Sequence, residues 1–169
     1  SEDVTSYLAD LSSKLGNLDF DAVVNCAVAY GHTGTGTGTA GHLVNVDLPL
    51  SLAAEATRRG VPAILFDTFL NKFAQYPERH HLYAAQKKLV ATTLDDMKSN
   101  ALTIQLEHIY GPFDRPGKFV HELLNRLARQ DSSPWPLRSG AHVRDFTYVR
   151  DISSFVRAIL GESARFSEV

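Results

Sequence analysis

Asp21-Ala22-Val23-Val24-Asn25-Cys26-Ala27-Val28 is the stretch that decides the fold. It is short, apolar and rich in Val. It reads as a strand buried on both faces, and strands of that kind belong to parallel sheets. Val61-Pro62-Ala63-Ile64-Leu65-Phe66 reads the same way, and Ala101-Leu102-Thr103-Ile104-Gln105-Leu106 supplies a third strand. Between these runs, residues 45 to 59 carry a helical pattern that ends before Gly60, and residues 81 to 98 carry another. Upstream, Val4, Leu8, Leu11 and Leu15 form a helical stripe. Downstream come a loop at Tyr110-Gly111-Pro112, an amphipathic helix from Val120 to Leu127, and a Pro- and Ser-rich loop. A strand near Phe146 to Val149 and a last helix from about Asp151 to Leu160 complete the order. Strand and helix alternate, so the expected class is α/β with a mostly parallel sheet.

The bulk properties narrow the function. A chain of 169 residues has a real core, burying roughly 70% of its unfolded surface. Apolar content of 44% and charged content of 21% are those of an ordinary globular protein. A formal net charge of -2 gives no electrostatic case for a nucleic-acid partner. No apolar stretch approaches the length of a membrane span, so no membrane partner is expected. The one cysteine, Cys26, excludes an intrachain disulfide, reads as a small core residue, and fits a reducing, cytoplasmic setting. Seven histidines invite a metal reading, but His80-His81 are adjacent rather than at i, i+4, and no metal site is expected.

Tyr83-Ala84-Ala85-Gln86-Lys87 carries the chemistry. On a helix, positions i and i+4 share a face, so the phenol and the ammonium act on one reacting atom. A nearby cation favours the phenolate, so Lys87 is expected to lower the Tyr83 pKa toward the working pH. The Gly-Thr repeat from Gly31 to Gly41 comes directly after the first strand. Glycines there would free backbone N–H groups for a phosphate. The repeat has neither a GxGxxG fingerprint nor a Walker lysine, and it reads rather as a loop over a strand end. Pro134-Trp135-Pro136 reads as a rigid loop packing its indole, with a stacking surface for a base as the other reading.

The order of these motifs resembles the extended short-chain dehydrogenase/reductases, the NAD-dependent epimerase/dehydratase family acting on nucleotide sugars. The resemblance rests on Asp3-Val4, Asp21 to Ala27, Asn45-Val46, Tyr83-xxx-Lys87, Ile109-Tyr110-Gly111-Pro112 and Arg144-Asp145-Phe146-Thr147-Tyr148-Val149-Arg150-Asp151. It implies a partial Rossmann-like doubly wound parallel sheet over residues 1–110. It also implies the start of a small substrate-binding lobe over 111–169. The segments Phe66 to Leu70 and Leu106 to Pro112 are most similar to the CDP-sugar branch, which includes 4-keto-reductases.

By this resemblance Tyr83 is the acid/base on the sugar, and Lys87 binds the nicotinamide ribose. Asp3 falls at the adenine pocket, Cys26, Ala27 and Val28 line the NAD or NADP at their strand end, and Asn45 supports the next strand end. His108 and Arg144 fall near the substrate diphosphate, where a guanidinium fork suits phosphate oxygens. Without the resemblance, Arg144 reads as a surface ion-pair partner of Asp145, and His108 as a satisfied histidine at a strand end. Asp151 opens the last helix in a structural role. The implied activity is an NAD(P)-dependent 4-keto-reductase or 4-epimerase. The implied assembly is a homodimer through the helices near 45–59 and 81–98.

Two departures qualify this. The family places Ser or Thr after the second buried strand, where this chain has Phe66, which cannot donate a hydrogen bond. Thr68, two residues on and so on the same strand face, is the substitute, and the run Phe66-Asp67-Thr68 argues against dehydration. The family's opening Gly-rich turn is also missing from these 169 residues, which predicts a portion of a longer, two-lobed protein. The isolated portion is expected to bind NAD poorly and to leave the strand at 22–28 as an exposed apolar sheet edge. A non-catalytic member of the family is the rival expectation.

Overall fold

The computed structural model describes residues 10, 11, 13–30, 41–72, 81–136 and 143–166. Asp3, His80, Val4 and Leu8 of the first helical stripe, and the Gly-Thr repeat up to Ala40 lie outside the described residues. The chain divides into two compact units, Ser1–Gln105 with Ser163–Val169, and Leu106–Glu162. The fold is α/β, as the alternation of patterns predicts.

The first unit is built on a three-stranded sheet in the order β1-β2-β3. Its strands are β1 (Val23–Asn25), β2 (Ala63–Thr68) and β3 (Ala101–Leu106). β1 and β2 are parallel, with Val23 opposite Ala63 and Asn25 opposite Leu65. The crossover between them opens as a π-helical turn, Leu43–Asp47, and continues as α1 (Leu48–Arg59). Pro49 sits at the start of α1, directly after the π-helical turn. Gly60 ends it at φ 71°, the left-handed conformation that a Cβ disfavours. Between β2 and β3 runs α2 (His81–Asp96). The core gathers Val46, Ala53, Leu65, Val90 and Leu94 from these elements, with Leu50 and Ala101 packed against it.

Two sequence expectations change at the strands. β1 is three residues long rather than spanning 22–28, and Cys26 is exposed, not a core residue. The cause is Asn25, whose Oδ1 accepts the Ala27 N–H at 3.0 Å. This side-chain turn competes with the sheet ladder and carries Cys26 off it. β1 stands at one end of the sheet order with Val24 40% exposed, in line with the expected apolar edge. β2 begins two residues later than the apolar run. The Val61 N–H closes the end of α1 on the Ala56 carbonyl at 3.0 Å, and Pro62 has no N–H to give.

The second unit holds a parallel pair, β4 (His108–Tyr110) and β5 (Phe146–Tyr148), with His108 opposite Phe146. The sequence pattern does not announce β4, because three residues are too few to display a period. In sequence α3 (Phe119–Ala128) lies between the two strands and α4 (Val149–Phe166) follows β5. Asp151 lies in the first turn of α4, where a carboxylate complements the helix dipole. The Trp135 indole stacks on Phe119 of α3 at 5.3 Å, beneath the Arg126 guanidinium.

Gly111 comes directly after β4. A Cβ built there would lie 2.5 Å from Val149 Cγ1, on a backbone with φ +156°. Gly111→Ala is therefore expected to destabilise the second unit by about 1–3 kcal/mol, the usual cost of overpacking. Thermal denaturation checks this, and adding Val149→Ala should recover part of the loss.

Candidate active site

The first unit brings Tyr83 and Lys87 together and adds other groups. Tyr83, Gln86 and Lys87 lie on the inward face of α2, with Gln86 and Lys87 buried. Lys87 Nζ donates to the Phe66 carbonyl at 2.7 Å. A small cleft at this point is lined by Asn25, Phe66, Asp67, Lys87 and Thr103. The Asp67 carboxylate acts on both members of the Tyr83–Lys87 pair.

The electrostatics reverse one expectation. The Tyr83 hydroxyl is held protonated, well above the ordinary tyrosine range, mainly by burial, with the neighbouring Tyr30 and the Asp67 charge adding to the effect. Lys87 does not depress it. Its nitrogen is 6.0 Å from the centre of the Tyr83 ring and directs one of its hydrogens to the Phe66 carbonyl. Burial also lowers the Lys87 pKa, against the opposing pull of Asp67. Desolvation outweighs the cation because both groups sit in the protein interior.

Thr68 closes β2 and is buried; its hydroxyl accepts the Leu70 N–H at 3.4 Å. Asn45 is 1% exposed and satisfies a whole backbone position. Its Oδ1 accepts the Ala29 N–H at 2.9 Å, and its Nδ2 donates to the Ala29 carbonyl and to Gln86 Oε1, both at 2.8 Å. Cys26, Ala27 and Val28, just before this clamp, expose their chain beyond the carboxyl end of β1. That is where open α/β sheets receive ligands.

Gln86, Tyr30 and Asp67 join this arrangement without having been expected from the sequence. Gln86 carried a signal, since it lies three residues from Tyr83 on the same helix. Tyr30 carried none. Its ring lies 5.2 Å from that of Tyr83, tilted by 48°.

The second unit places His108 and Arg144 around Glu107. His108 Nδ1 is 3.7 Å and Arg144 Nη1 3.9 Å from Glu107 Oε1. A carboxylate in reach of Arg144 is thus that of Glu107, where the sequence suggested its neighbour Asp145. Burial lowers the His108 pKa, Glu107 opposes this, and the Arg144 and Lys118 cations add to the lowering. The His108 ring meets Phe146 edge-on at 5.4 Å. Among the described residues no three His, Cys, Asp or Glu side chains form a metal-holding group, and no helix is long and apolar enough to cross a membrane.

Comparison with known proteins agrees with the fold. The model of the NAD dependent epimerase/dehydratase family matches residues 5–168. The Bordetella bronchiseptica enzyme WbmH, solved with NAD+, superposes with a TM-score of 0.65 at 19% identity, over 91% of this chain and 53% of that one. The dTDP-glucose 4,6-dehydratase of Bacillus anthracis, solved with NAD, gives 0.63 at 17% identity, over 90% and 51%. The ADP-L-glycero-D-manno-heptose-6-epimerase of Helicobacter pylori gives 0.62 at 18%, over 89% and 52%. The chain thus spans about half the length of these solved structures.

Proposed function

This chain belongs to the NAD-dependent epimerase/dehydratase family, and from that premise we propose that the intact protein acts on a nucleotide sugar with NAD or NADP, as a 4-keto-reductase or 4-epimerase. The observation that carries the reading is the inward face of α2. There Tyr83 and Lys87 meet Asp67 and the Phe66 carbonyl at the end of β2.

The residues present fit the nicotinamide half of the cofactor. Cys26, Ala27 and Val28 offer exposed chain at a strand end, with the next residue, Ala29, pinned by Asn45. Lys87 keeps donors for ribose hydroxyls, because the Phe66 carbonyl takes one of the three that an ammonium has. Asp3 would serve the adenine end. The cofactor supplies hydride transfer when bound. Tyr83 holds its proton at neutral pH and gives it to a ketone oxygen, or receives one from a hydroxyl in the reverse direction. Thr68 is the proposed further hydroxyl of the catalytic set.

The second unit is the proposed substrate lobe, with His108 and Arg144 toward the diphosphate and a CDP-sugar as the favoured substrate. A homodimer through α1 and α2 and a cytoplasmic setting complete the proposal.

Calorimetry on the intact protein with NAD(H), NADP(H) and a panel of CDP-, UDP-, GDP- and dTDP-sugars tests the reading. Cofactor binding, with turnover of one nucleotide sugar, is the expected result. Phe66, which offers no donor, favours a second reading as a non-catalytic binding module. Sugar binding with no cofactor binding would establish that one instead.

A further inference from the structure

Asn45 has no freedom in how it turns its amide. The Ala29 N–H can only donate and the Ala29 carbonyl can only accept, so Oδ1 must face the first and Nδ2 the second. Nδ2 carries two hydrogens, and the Ala29 carbonyl takes one of them. With Asn45 1% exposed, the other needs an acceptor from the protein. Gln86 Oε1 supplies it at 2.8 Å, from a residue that is itself 5% exposed. Residue 86 therefore has to combine an acceptor with enough length to reach the π-helical turn that carries Asn45.

The position of Gln86 on α2 decides what this bond holds together. Gln86 comes three residues after Tyr83 and directly before Lys87. Ala29 directly follows Cys26, Ala27 and Val28, the exposed chain proposed to face the nicotinamide. Ala29, Asn45 and Gln86 thus form one buried chain of hydrogen bonds of 2.8 to 2.9 Å. One end is the proposed cofactor wall, and the other is the helix of the acid/base pair. Lys87 ties that helix to β2 instead, through the Phe66 carbonyl. The core residues of α2, Val90 and Leu94, lie farther along the helix, and apolar contacts carry no direction.

We propose that Gln86 is a positioning residue for the acid/base pair, setting the distance between α2 and the cofactor-lining strand end through Asn45. The inference rests on the reading of Tyr83 and Lys87 as the catalytic pair beside NAD or NADP. A misplacement of about 1 Å costs about 10²-fold in rate, because reacting groups must meet in line. Loss of the Gln86 acceptor leaves the contacts to the cofactor in place and loosens their alignment with Tyr83.

Gln86→Met in the intact protein tests this, since it keeps the length and removes the acceptor. The expected result is a fall in kcat of tenfold or more, with the Kd for NAD(P)H within about threefold. Gln86→Glu restores an acceptor at the same length and should recover most of the lost kcat. A second readout needs neither cofactor nor substrate. Hydrogen exchange of the Ala29 amide, measured by NMR relative to that of Leu65 in the core, should quicken about threefold or more in Gln86→Met. Should that variant not fold, Gln86→Ala, which leaves room for water at Asn45 Nδ2, takes its place with the same expectations. Full kcat in Gln86→Met would overturn the proposal, as would a loss that Gln86→Glu does not lessen, or an unchanged exchange ratio. If Tyr83→Phe turns over normally, the reading of the catalytic pair has failed. If Tyr83→Phe is impaired and Gln86→Met is not, the positioning role alone has failed.

Discussion

Tyr83→Phe in the intact protein is expected to lower turnover by about 10²–10⁴-fold, the range that a positioned acid/base supplies. The affinity for cofactor should change little, because the ring and the Lys87 contacts remain. The same substitution has a second readout that needs no substrate. In the folded chain the Tyr83 pKa is raised from 10.0. Below pH 10 both folded and unfolded chains keep the proton. Above it only the unfolded chain loses the proton, so stability falls as pH rises past about 10. Tyr83→Phe should remove that part of the alkaline loss. Denaturant melts at pH 8 and pH 10.5 check it, and identical pH dependence in both proteins would mean that Tyr83 is not buried as described.

Asn45→Leu is expected to cost about 3 kcal/mol or more. It fills a similar volume but leaves the Ala29 N–H, the Ala29 carbonyl and Gln86 Oε1 without their partner in a buried site. Each such orphan costs about 1–3 kcal/mol, a large share of the stability of an ordinary domain. Urea unfolding measures it. A loss under 1 kcal/mol would mean that these bonds do not form in solution. Because Ala29 precedes the Tyr30 that meets Tyr83, the variant should also depress turnover beyond what its folded fraction accounts for.

The legibility of the elements tracked their length. α2 displays its period over many residues, and its pattern lies within two residues of its observed ends, His81–Asp96. Gly60 announces the end of α1, because a left-handed cap favours that residue. β4 depends on pairing with a distant strand, which leaves no local trace, and the Val-rich run announces β1 but not its early end at the Asn25 turn. The π-helical turn at Leu43–Asp47 is invisible in one dimension, since its residues resemble any helix start.

The sequence by itself determined the α/β alternation, the spacing that sets Tyr83 and Lys87 on one helix face, and the family likeness of the motif order. Those are periodicities and spacings, and they survive in one dimension. Tertiary structure alone decided the ionisation of the site. Whether Lys87 lowers the Tyr83 pKa or burial raises it depends on where a flexible ammonium goes, and here it goes to the Phe66 carbonyl. It also decided that Tyr30, distant in sequence, would be the phenol against Tyr83. Desolvation and cross-chain hydrogen bonds depend on distances between atoms, and those exist only once the chain has folded.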